Sequence, residues 1–295
     1  SEAVELTVAP GMGAKITSIK SLRSGREWMW RAFDPPRYFH NRLEDGFAQS
    51  PLIGVDECIP SIGACAWQGR QIPDHGEAWS QAWELDEEAW SRGAILTRLD
   101  LPLSPFRFER SIRLEGEDIQ LDYRLSNRGR SAEVYLWAIH PLFTIEPGDR
   151  IELPGGVRSL RLGAAGGFPA EMPTGSWSWP EPAPGLRLDE LDRFGDGRCA
   201  KLFVDAVEDG FAGVYNPARG ERLSLHWDPA ENPALGIWIC TGIWNGYYQM
   251  ALEPTNAGAE ALAEAEERPD AFRAVPAGAA VRWQLRLRLE QVERG

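Results

Sequence analysis

The chain has 295 residues, of which 43% are hydrophobic, so it is long enough to bury a substantial core. Its formal net charge is −13, and a surface this acidic repels phosphate backbones, which excludes nucleic-acid binding and disfavours a heavily phosphorylated substrate. No apolar run reaches the roughly 20 residues of a membrane span, and the N-terminus shows no basic-then-apolar signal pattern, so we expect a cytoplasmic protein without membrane contact.

Alternation of apolar and polar residues with a period of two dominates the chain and predicts β-strands. Thirty glycines and 22 prolines indicate many tight turns between these strands. No strand–helix alternation occurs, so the pattern predicts an all-β protein, a single large antiparallel β-sandwich over residues 1–295. The predicted strands are, in chain order, 15–22, 95–103, 106–114, 118–125, 133–140, 201–207, 222–227, 237–241, 247–252 and 281–290.

Two segments lack this alternation. Residues 257–267 are strong helix formers followed by Arg268-Pro269, which predicts one short surface helix or a solvated loop. Residues 163–185 are rich in Gly, Pro, Ser and Trp, which predicts a long loop. A chain of this size does not need disulfides, so we expect four reduced and mostly buried thiols at Cys58, Cys65, Cys199 and Cys240.

Two strand-like runs each end in a reactive residue followed by proline. His140 closes the run 133–140 before Pro141, and Glu253 follows the run 247–252 before Pro254. Because proline cannot continue a central ladder, we expect both side chains at strand ends, lining one concave face. There an imidazole and a carboxylate can exchange protons near neutral pH. The alternatives are a strand-terminal histidine bonded to backbone and an edge carboxylate that reaches water.

A third reactive residue, His75, lies in the turn-forming stretch Pro73-Asp74-His75-Gly76-Glu77, which can project an imidazole into a cleft. The alternative is an exposed loop histidine. Aromatic residues are frequent near these stretches and stand beside polar groups, a combination with which proteins hold a sugar ring. The candidate sugar contacts include Phe143, Trp244, Arg70 and Asp56.

Other chemistries lack their motifs. Gly11-Met12-Gly13 has neither the third glycine of a dinucleotide loop nor a phosphate-loop ending. No histidine pair has metal-ligand spacing and no nucleophile elbow occurs, so we expect neither a cofactor nor a metal. Two carboxylates can also form a glycosidase pair, with Glu253 and either Asp56 or Glu57 as candidates.

Taken in order, these motifs resemble those of the aldose 1-epimerase (galactose mutarotase-like) superfamily. The similar stretches are 11–19, 25–28, 56–60 with 73–77, His140-Pro141-Leu142-Phe143 and Leu252-Glu253-Pro254. The resemblance implies a large antiparallel β-sandwich, with His140 as general acid, Glu253 as general base and His75 as a substrate-binding residue. Arg42, in Asn41-Arg42-Leu43, is the nearest match to the family's binding arginine, and Arg70 is a substitute by proximity only. The family's sugar-binding aspartate has three candidates, Asp189, Asp192 and Asp205.

The resemblance implies an isomerase that interconverts the anomers of a small sugar by opening its ring, with no cofactor. If so, His140 and Glu253 should face each other across a cleft about one sugar ring wide. Two alternatives stay open: a carbohydrate-binding protein without catalysis, and another carbohydrate isomerase or lyase built on the same sandwich.

Overall fold

The structure, a computed structural model, describes residues 1–168 and 175–292. Strands dominate these residues, and the helices are short. The α-helices are α1 (Glu87–Ser91) and α2 (Leu191–Phe194), and 3-10 turns cover Phe47–Gln49, Leu262–Glu266 and Pro269–Ala271. The strands are β1 (Val4–Ala9), β2 (Lys15–Ser21), β3 (Val55–Cys58), β4 (Cys65–Trp67), β5 (Arg70–Ile72), β6 (Glu84–Leu85), β7 (Ile95–Asp100), β8 (Phe106–Glu115), β9 (Asp118–Asn127), β10 (Glu133–Tyr135), β11 (Ala138–Pro141), β12 (Phe143–Thr144), β13 (Arg150–Glu152), β14 (Ser159–Gly166), β15 (Ser176–Ser178), β16 (Arg198–Val204), β17 (Phe211–Asn216), β18 (Glu221–Trp227), β19 (Ala234–Thr241), β20 (Tyr248–Thr255), β21 (Arg273–Val275) and β22 (Ala280–Gln291).

Two large antiparallel sheets form the body of the molecule, which confirms the predicted all-β sandwich. The larger sheet has the order β1-β2-β3-β11-β20-β19-β16-β14-β15, with β12 also paired to β20. The second sheet has the order β13-β17-β18-β22-β9-β8-β7-β6, and β4–β5 and β10–β21 form two small sheets. The main core draws on both large sheets: it includes Val55, Ile139 and Leu252 from one and Phe108, Leu121 and Leu287 from the other. The opposite surface of the larger sheet is called the outer face below.

One alternating run changes sheets partway along. The predicted strand 133–140 is divided into β10, which pairs with β21, and β11, which enters the larger sheet between β3 and β20. The break falls at Leu136-Trp137, where Leu136 N donates to Pro60 O and Trp137 N donates to the side chain of Asn256. Alternation continues through such a break, so periodicity alone does not reveal it.

Of the two prolines expected to end strands, Pro141 is the last residue of β11, as expected, whereas Pro254 lies inside β20. Pro141 is paired with Val55 of β3, and Pro254 with Leu235 of β19. Proline has no N–H to donate, so a strand tolerates it only where the ladder does not need that donor. The β11–β20 ladder has this property, because it pairs at Ala138 and resumes only at Phe143 of β12.

The two segments without alternation also differ from the predictions. Part of the predicted loop 163–185 is strand, because β14 extends to Gly166 and β15 covers Ser176–Ser178; residues 169–174 lie outside the described residues. In 257–267 the regular element is the 3-10 turn Leu262–Glu266, and Leu262 is buried. All four cysteines are free thiols, three of them buried and Cys65 partly so, as predicted. Within residues 1–168 and 175–292, no helix combines the length and apolarity needed to span a bilayer.

Candidate active site

A line of charged side chains crosses the outer face of the larger sheet, and we call it the polar row. It consists of Lys15 on β2, Asp56 on β3, His140 on β11, Glu253 on β20 and Lys201 on β16. Residues directly opposite each other in antiparallel strands share a face. His140 is paired with Asp56, and the register of β11 and β12 against β20 places Glu253 opposite His140 on the other side. The fold thus assembles the row from five strands that are distant in sequence.

Each carboxylate of the polar row is held by its own lysine. Lys201 Nζ donates to Glu253 Oε2, and Lys15 Nζ donates to Asp56 Oδ1. Both carboxylates are fully buried, and an unpaired charge in such a position would be costly. His140 lies between them, with Nε2 at 3.8 Å from Glu253 Oε1. The row therefore alternates lysine, carboxylate, imidazole, carboxylate and lysine, and carries no net charge when the imidazole is neutral.

Glycine at position 236 makes room for the Glu253 carboxylate. Gly236 of β19 is the partner of Glu253 in the ladder. A Cβ atom there would stand 3.0 Å from Glu253 Oε2 and 3.3 Å from Glu253 Cβ. With hydrogen in that place, Lys201 reaches across β19 from β16 to the carboxylate. A small residue in one strand thus allows an ion pair between its two neighbours.

Burial governs the protonation of the imidazole. The pKa of His140 lies well below 6.5 because burial disfavours the imidazolium, and because His75, Lys201 and Lys15 add positive charge nearby. At neutral pH the His140 imidazole is therefore uncharged. Burial acts to lower the pKa of Lys201, but the charges of Glu253 and Glu260 and the hydrogen bond to Glu253 together outweigh it and the pKa is raised, so Lys201 remains an ammonium.

His75 stands directly above the polar row. Its ring is edge-on to the His140 ring with 5.0 Å between centroids, and it stacks on Phe47 at 3.6 Å. His75 has φ +61°, a conformation uncommon for a non-glycine residue and frequent at functional sites. The turn is fixed by Gly76, where a Cβ would lie 2.2 Å from the carbonyl oxygen of Ile59. His75 Nδ1 is 3.1 Å from Asp74 Oδ1, which places a carboxylate beside the ring.

Two apolar clusters flank the polar row on the outer face. One contains Cys58, Ala138 and Leu262, under the β4–β5 hairpin and the 3-10 turn at 262–266. The other contains Trp30, Leu142 and Ala251, with Trp238 and Tyr247 packed against it. The charged groups therefore occupy a polar strip between two apolar walls, a usual composition for a small-molecule site.

Trp238 is a site residue that the sequence interpretation did not single out. It is directly opposite both Lys201 and Ala251, so it shares the outer face with the polar row and lies one step from Glu253. It is partly exposed, and its ring meets that of Trp244 edge-on at 5.8 Å. Trp244 is 58% exposed. The two rings form an aromatic corner beside the carboxylate.

Several predicted site residues lie elsewhere. Phe143 is fully buried in the main core, because it alternates with Leu142 and faces the second sheet. Arg70 donates to Glu133 and Gln68 on the β4–β5 side, and Arg42 is exposed in the irregular segment before Phe47. The three candidate aspartates each have other partners: Asp189 binds Arg187, Asp192 accepts from Gly148 N, and Asp205 binds Arg161.

Two further carboxylates have structural partners. Glu57 faces the main core, where it accepts from Arg110, Tyr123 and Trp137. Burial raises the pKa of Glu57 against the opposing effect of Arg110. Glu77 accepts from Leu103 N, Ser104 N and Ser104 Oγ, and so holds the loop before β8. Of the fully buried carboxylates in the stretches 56–60 and 73–77, Asp56 is the one on the outer face, paired with His140 in the β3–β11 ladder.

The relation of His140 to Glu253 differs from the expectation. The two residues stand side by side on neighbouring strands, within the sheet, and do not face each other across a cleft from strand ends. Both side chains lie on the outer face of the sheet. The candidate site thus has an imidazole beside a carboxylate, a second histidine above them and an aromatic corner at one side.

Comparison with known proteins identifies the fold. No protein-family model and no curated protein sequence matches the chain. Solved structures do match over nearly the whole chain. A putative aldose 1-epimerase from Klebsiella pneumoniae is 16% identical with a TM-score of 0.70, covering 100% of this chain and 78% of that one. A putative aldose 1-epimerase from Escherichia coli K12 is 15% identical with a TM-score of 0.66, covering 98% and 97%. A galactose mutarotase-like protein from Lactobacillus casei is 17% identical with a TM-score of 0.66, covering 98% of both chains. The chain therefore has the galactose mutarotase-like β-sandwich fold that the resemblance implied.

Proposed function

We propose that the protein is an aldose 1-epimerase-like isomerase that interconverts the anomers of an unphosphorylated sugar. The observation that carries this proposal is the pairing of His140 Nε2 with Glu253 Oε1 at 3.8 Å on one face of the sheet. Glu253 Oε1 has no hydrogen-bond partner, while its other oxygen is held by Lys201. The carboxylate is thus fixed at one oxygen and free to accept a proton at the other.

The reaction needs one acid and one base. His140, neutral at rest, first takes up a proton from solvent at Nε2. Glu253 Oε1 then takes the proton of the anomeric hydroxyl, and the Nε2–H of the His140 imidazolium gives its proton to the ring oxygen. The bond between C1 and the ring oxygen breaks as the carbonyl forms. Rotation about C1–C2 presents the other face of the carbonyl, and the reverse transfers close the ring and restore both residues. No electrons leave the sugar, so the balance requires no redox cofactor.

The electrostatics of the polar row suit this exchange. A lowered pKa makes the His140 imidazolium a strong acid toward a ring oxygen. The Lys201 ammonium donates to one oxygen of Glu253 and leaves Oε1 to act as the base. The two residues, 3.8 Å apart, are thus suited to the opposite roles of acid and base.

The surroundings favour a neutral sugar. The partly exposed Trp238 and the exposed Trp244 offer apolar surface for the C–H face of a pyranose beside Glu253. His75 is close enough to His140 to contact a hydroxyl of the same ring. Both lysines of the row are already paired with carboxylates, so neither is free to neutralise a phosphate. The sugar would be held by stacking and by hydrogen bonds.

Anomer interconversion, followed by polarimetry and by NMR on a panel of free and phosphorylated sugars, tests the proposal. Glu253→Gln and His140→Asn should each slow interconversion by about 10²–10⁴-fold, the usual contribution of a general acid or base. His226→Asn is a matched control, because His226 is also partly buried with a pKa lowered by burial but lies on β18 of the second sheet.

Full activity in both site variants would remove the proposed acid and base. Saturable sugar binding by calorimetry, with no interconversion of any sugar in the wild type, would instead support a carbohydrate-binding protein. A new product in the NMR spectrum would support a different isomerase or a lyase on the same fold.

A further inference from the structure

We infer that Asp56 is a positioning residue for His140, accepting the imidazole Nδ1–H and so making Nε2 the nitrogen that exchanges protons. The consequence for catalysis rests on the proposed function, whereas the contact itself does not. The sequence predicted Asp56 as a substrate contact, but its place in the sheet, on the side of His140 away from Glu253, favours a role behind the imidazole.

The sheet places Asp56 next to His140. The two residues are a directly paired couple in the β3–β11 ladder, so their side chains share the outer face and their Cα atoms are about 4.5–5.5 Å apart. Asp56 is 0% exposed and lies on the side of His140 away from Glu253. Its side chain is therefore available to neighbours within the sheet.

Complementary atoms are left unpartnered on the two residues. Asp56 Oδ2 and His140 Nδ1 are both buried without a hydrogen-bond partner, and one accepts where the other can donate. His140 directs Nε2 toward Glu253 on the β20 side. Nδ1 lies on the ring edge opposite the Cδ2–Nε2 edge, and β3 with Asp56 is the neighbouring strand on that other side. The two atoms are not hydrogen-bonded as the carboxyl stands, and a small rotation about χ2 that keeps Oδ1 on Lys15 is the movement that would join them.

Lys15 defines what Asp56 can do. Its ammonium donates to Oδ1, which holds the carboxyl at one oxygen and leaves Oδ2 as an acceptor. The Asp56–Lys15 pair thus repeats, on one side of His140, the arrangement of Glu253 and Lys201 on the other. The two carboxylates differ in the nitrogen that they face. Glu253 is beside Nε2, which exchanges the proton, and Asp56 is on the Nδ1 side, where it positions the ring.

A fixed tautomer follows from this arrangement. The hydrogen bond made by one ring nitrogen of a histidine sets the protonation of the other. With Nδ1–H bound to Asp56, the neutral His140 carries its lone pair on Nε2. When Nε2 takes up a proton, the Asp56 carboxylate stabilises the imidazolium against the positive charges of Lys15, Lys201 and His75 that face it.

The tautomer can be observed directly, independently of any sugar. Long-range 1H–15N correlation spectra of protein labelled with 15N-histidine distinguish Nδ1–H from Nε2–H, and only four histidines contribute signals. At pH 7.5 we expect His140 in the Nδ1–H form. In Asp56→Asn, Lys15 should retain the amide oxygen, which turns the amide NH2 toward the ring. Nδ1 must then become an acceptor, and the signal should change to the Nε2–H form.

Asp74→Asn is the matched control, because it removes the carboxylate next to His75 and should leave the His140 tautomer unchanged. An Nε2–H form in the wild type, or an unchanged tautomer in a folded Asp56→Asn, would overturn the inference. If Asp56→Asn does not fold, the wild-type spectrum alone decides.

Activity gives a second, separable result. In an active wild type, Asp56→Asn should lower kcat by roughly 10²-fold or more with little change in KM, because general acid–base catalysis contributes about 10²–10⁴-fold. Raising the pH should not restore the loss, since the wrong nitrogen remains protonated. A tautomer switch in a protein that converts no sugar would uphold the positioning role and refute only the proposed function.

Discussion

Removing Lys201 should destabilise the fold as well as the site. In Lys201→Met the apolar stem is largely conserved, but Glu253 loses its only hydrogen-bond donor and its other oxygen already has none. The carboxylate is 0% exposed and Lys201 is 8% exposed. Breaking a buried ion pair from one side costs about 3–5 kcal/mol, because the charge left behind is uncompensated.

That cost is large relative to the stability of a domain, which is typically about 5–15 kcal/mol. At about 2–4 °C per kcal/mol for domains of 150–250 residues, the melting temperature should fall by roughly 6–20 °C. Urea denaturation, monitored by tryptophan fluorescence, measures this loss in the free energy of unfolding directly. The double variant Lys201→Met/Glu253→Gln should recover much of the loss, because the neutral amide no longer leaves a buried charge.

Lys20 supplies the matched control, since it is the one lysine of the chain outside the polar row, lies on β2 and is partly exposed. Lys20→Met should change the free energy of unfolding by less than about 0.5 kcal/mol, as surface substitutions usually do. The deficit of Lys201→Met should also shrink at acid pH, where the buried carboxyl can take up a proton. Equal stabilities for Lys201→Met and Lys20→Met at pH 8 would refute the argument that this ion pair is buried and compensating.

Three further predictions concern the geometry and protonation of the site. Gly236→Ala should displace the Glu253 carboxylate and reduce kcat by about 10²-fold, as small misplacements do, with a near-normal melting temperature; wild-type kcat would contradict this. Trp238→Ala should raise KM about 10-fold with kcat less affected, and unchanged sugar affinity by calorimetry would exclude the aromatic corner. The pKa of His140 in the folded state lies below 6.5, so below pH 6.5 the unfolded chain binds more protons than the folded one. The free energy of unfolding therefore decreases as the pH falls from 6.5 toward the folded pKa. The loss is at most about 1.4 kcal/mol per pH unit. In His140→Asn, the free energy of unfolding from denaturation curves should not show this loss between pH 7 and pH 5. The same dependence on pH in the wild type and the variant would disprove the prediction.

The sequence pattern predicted the architecture well because its signals are local. In strands such as β22 every second side chain is buried: Trp283, Leu285 and Leu287 point inward, and the residues between them are polar. The alternation therefore predicts both the strand and its buried face. What it could not predict is where a run changes sheets, as between β10 and β11, since the contacts that divide it come from Pro60 and Asn256. Pairing between distant strands leaves no trace in a local pattern.

The site was predicted in part for the same reason. His140, Glu253 and His75 were found from their motifs, and the structure places all three together. Phe143 was misplaced because proximity in sequence does not fix the face, and one residue along a strand reverses it. Trp238 and the two lysines were missed, although one signal was available. The chain has 31 lysines and arginines, only three of them lysines, and all three stand within strand-like runs.

That scarcity of lysine has a physical interpretation. On the surface of this protein, a planar guanidinium often forms ion pairs with more than one carboxylate, as Arg222 does with Glu152 and Glu290. A guanidinium beside Glu253 would present a fork of donors able to occupy both oxygens, including the Oε1 that must remain free. An ammonium is a compact point charge that can neutralise one oxygen and leave the other unbound. Lys201→Arg is thus expected to preserve the charge of the polar row while it blocks the base, and a variant that keeps full activity would show that a free Oε1 is not required.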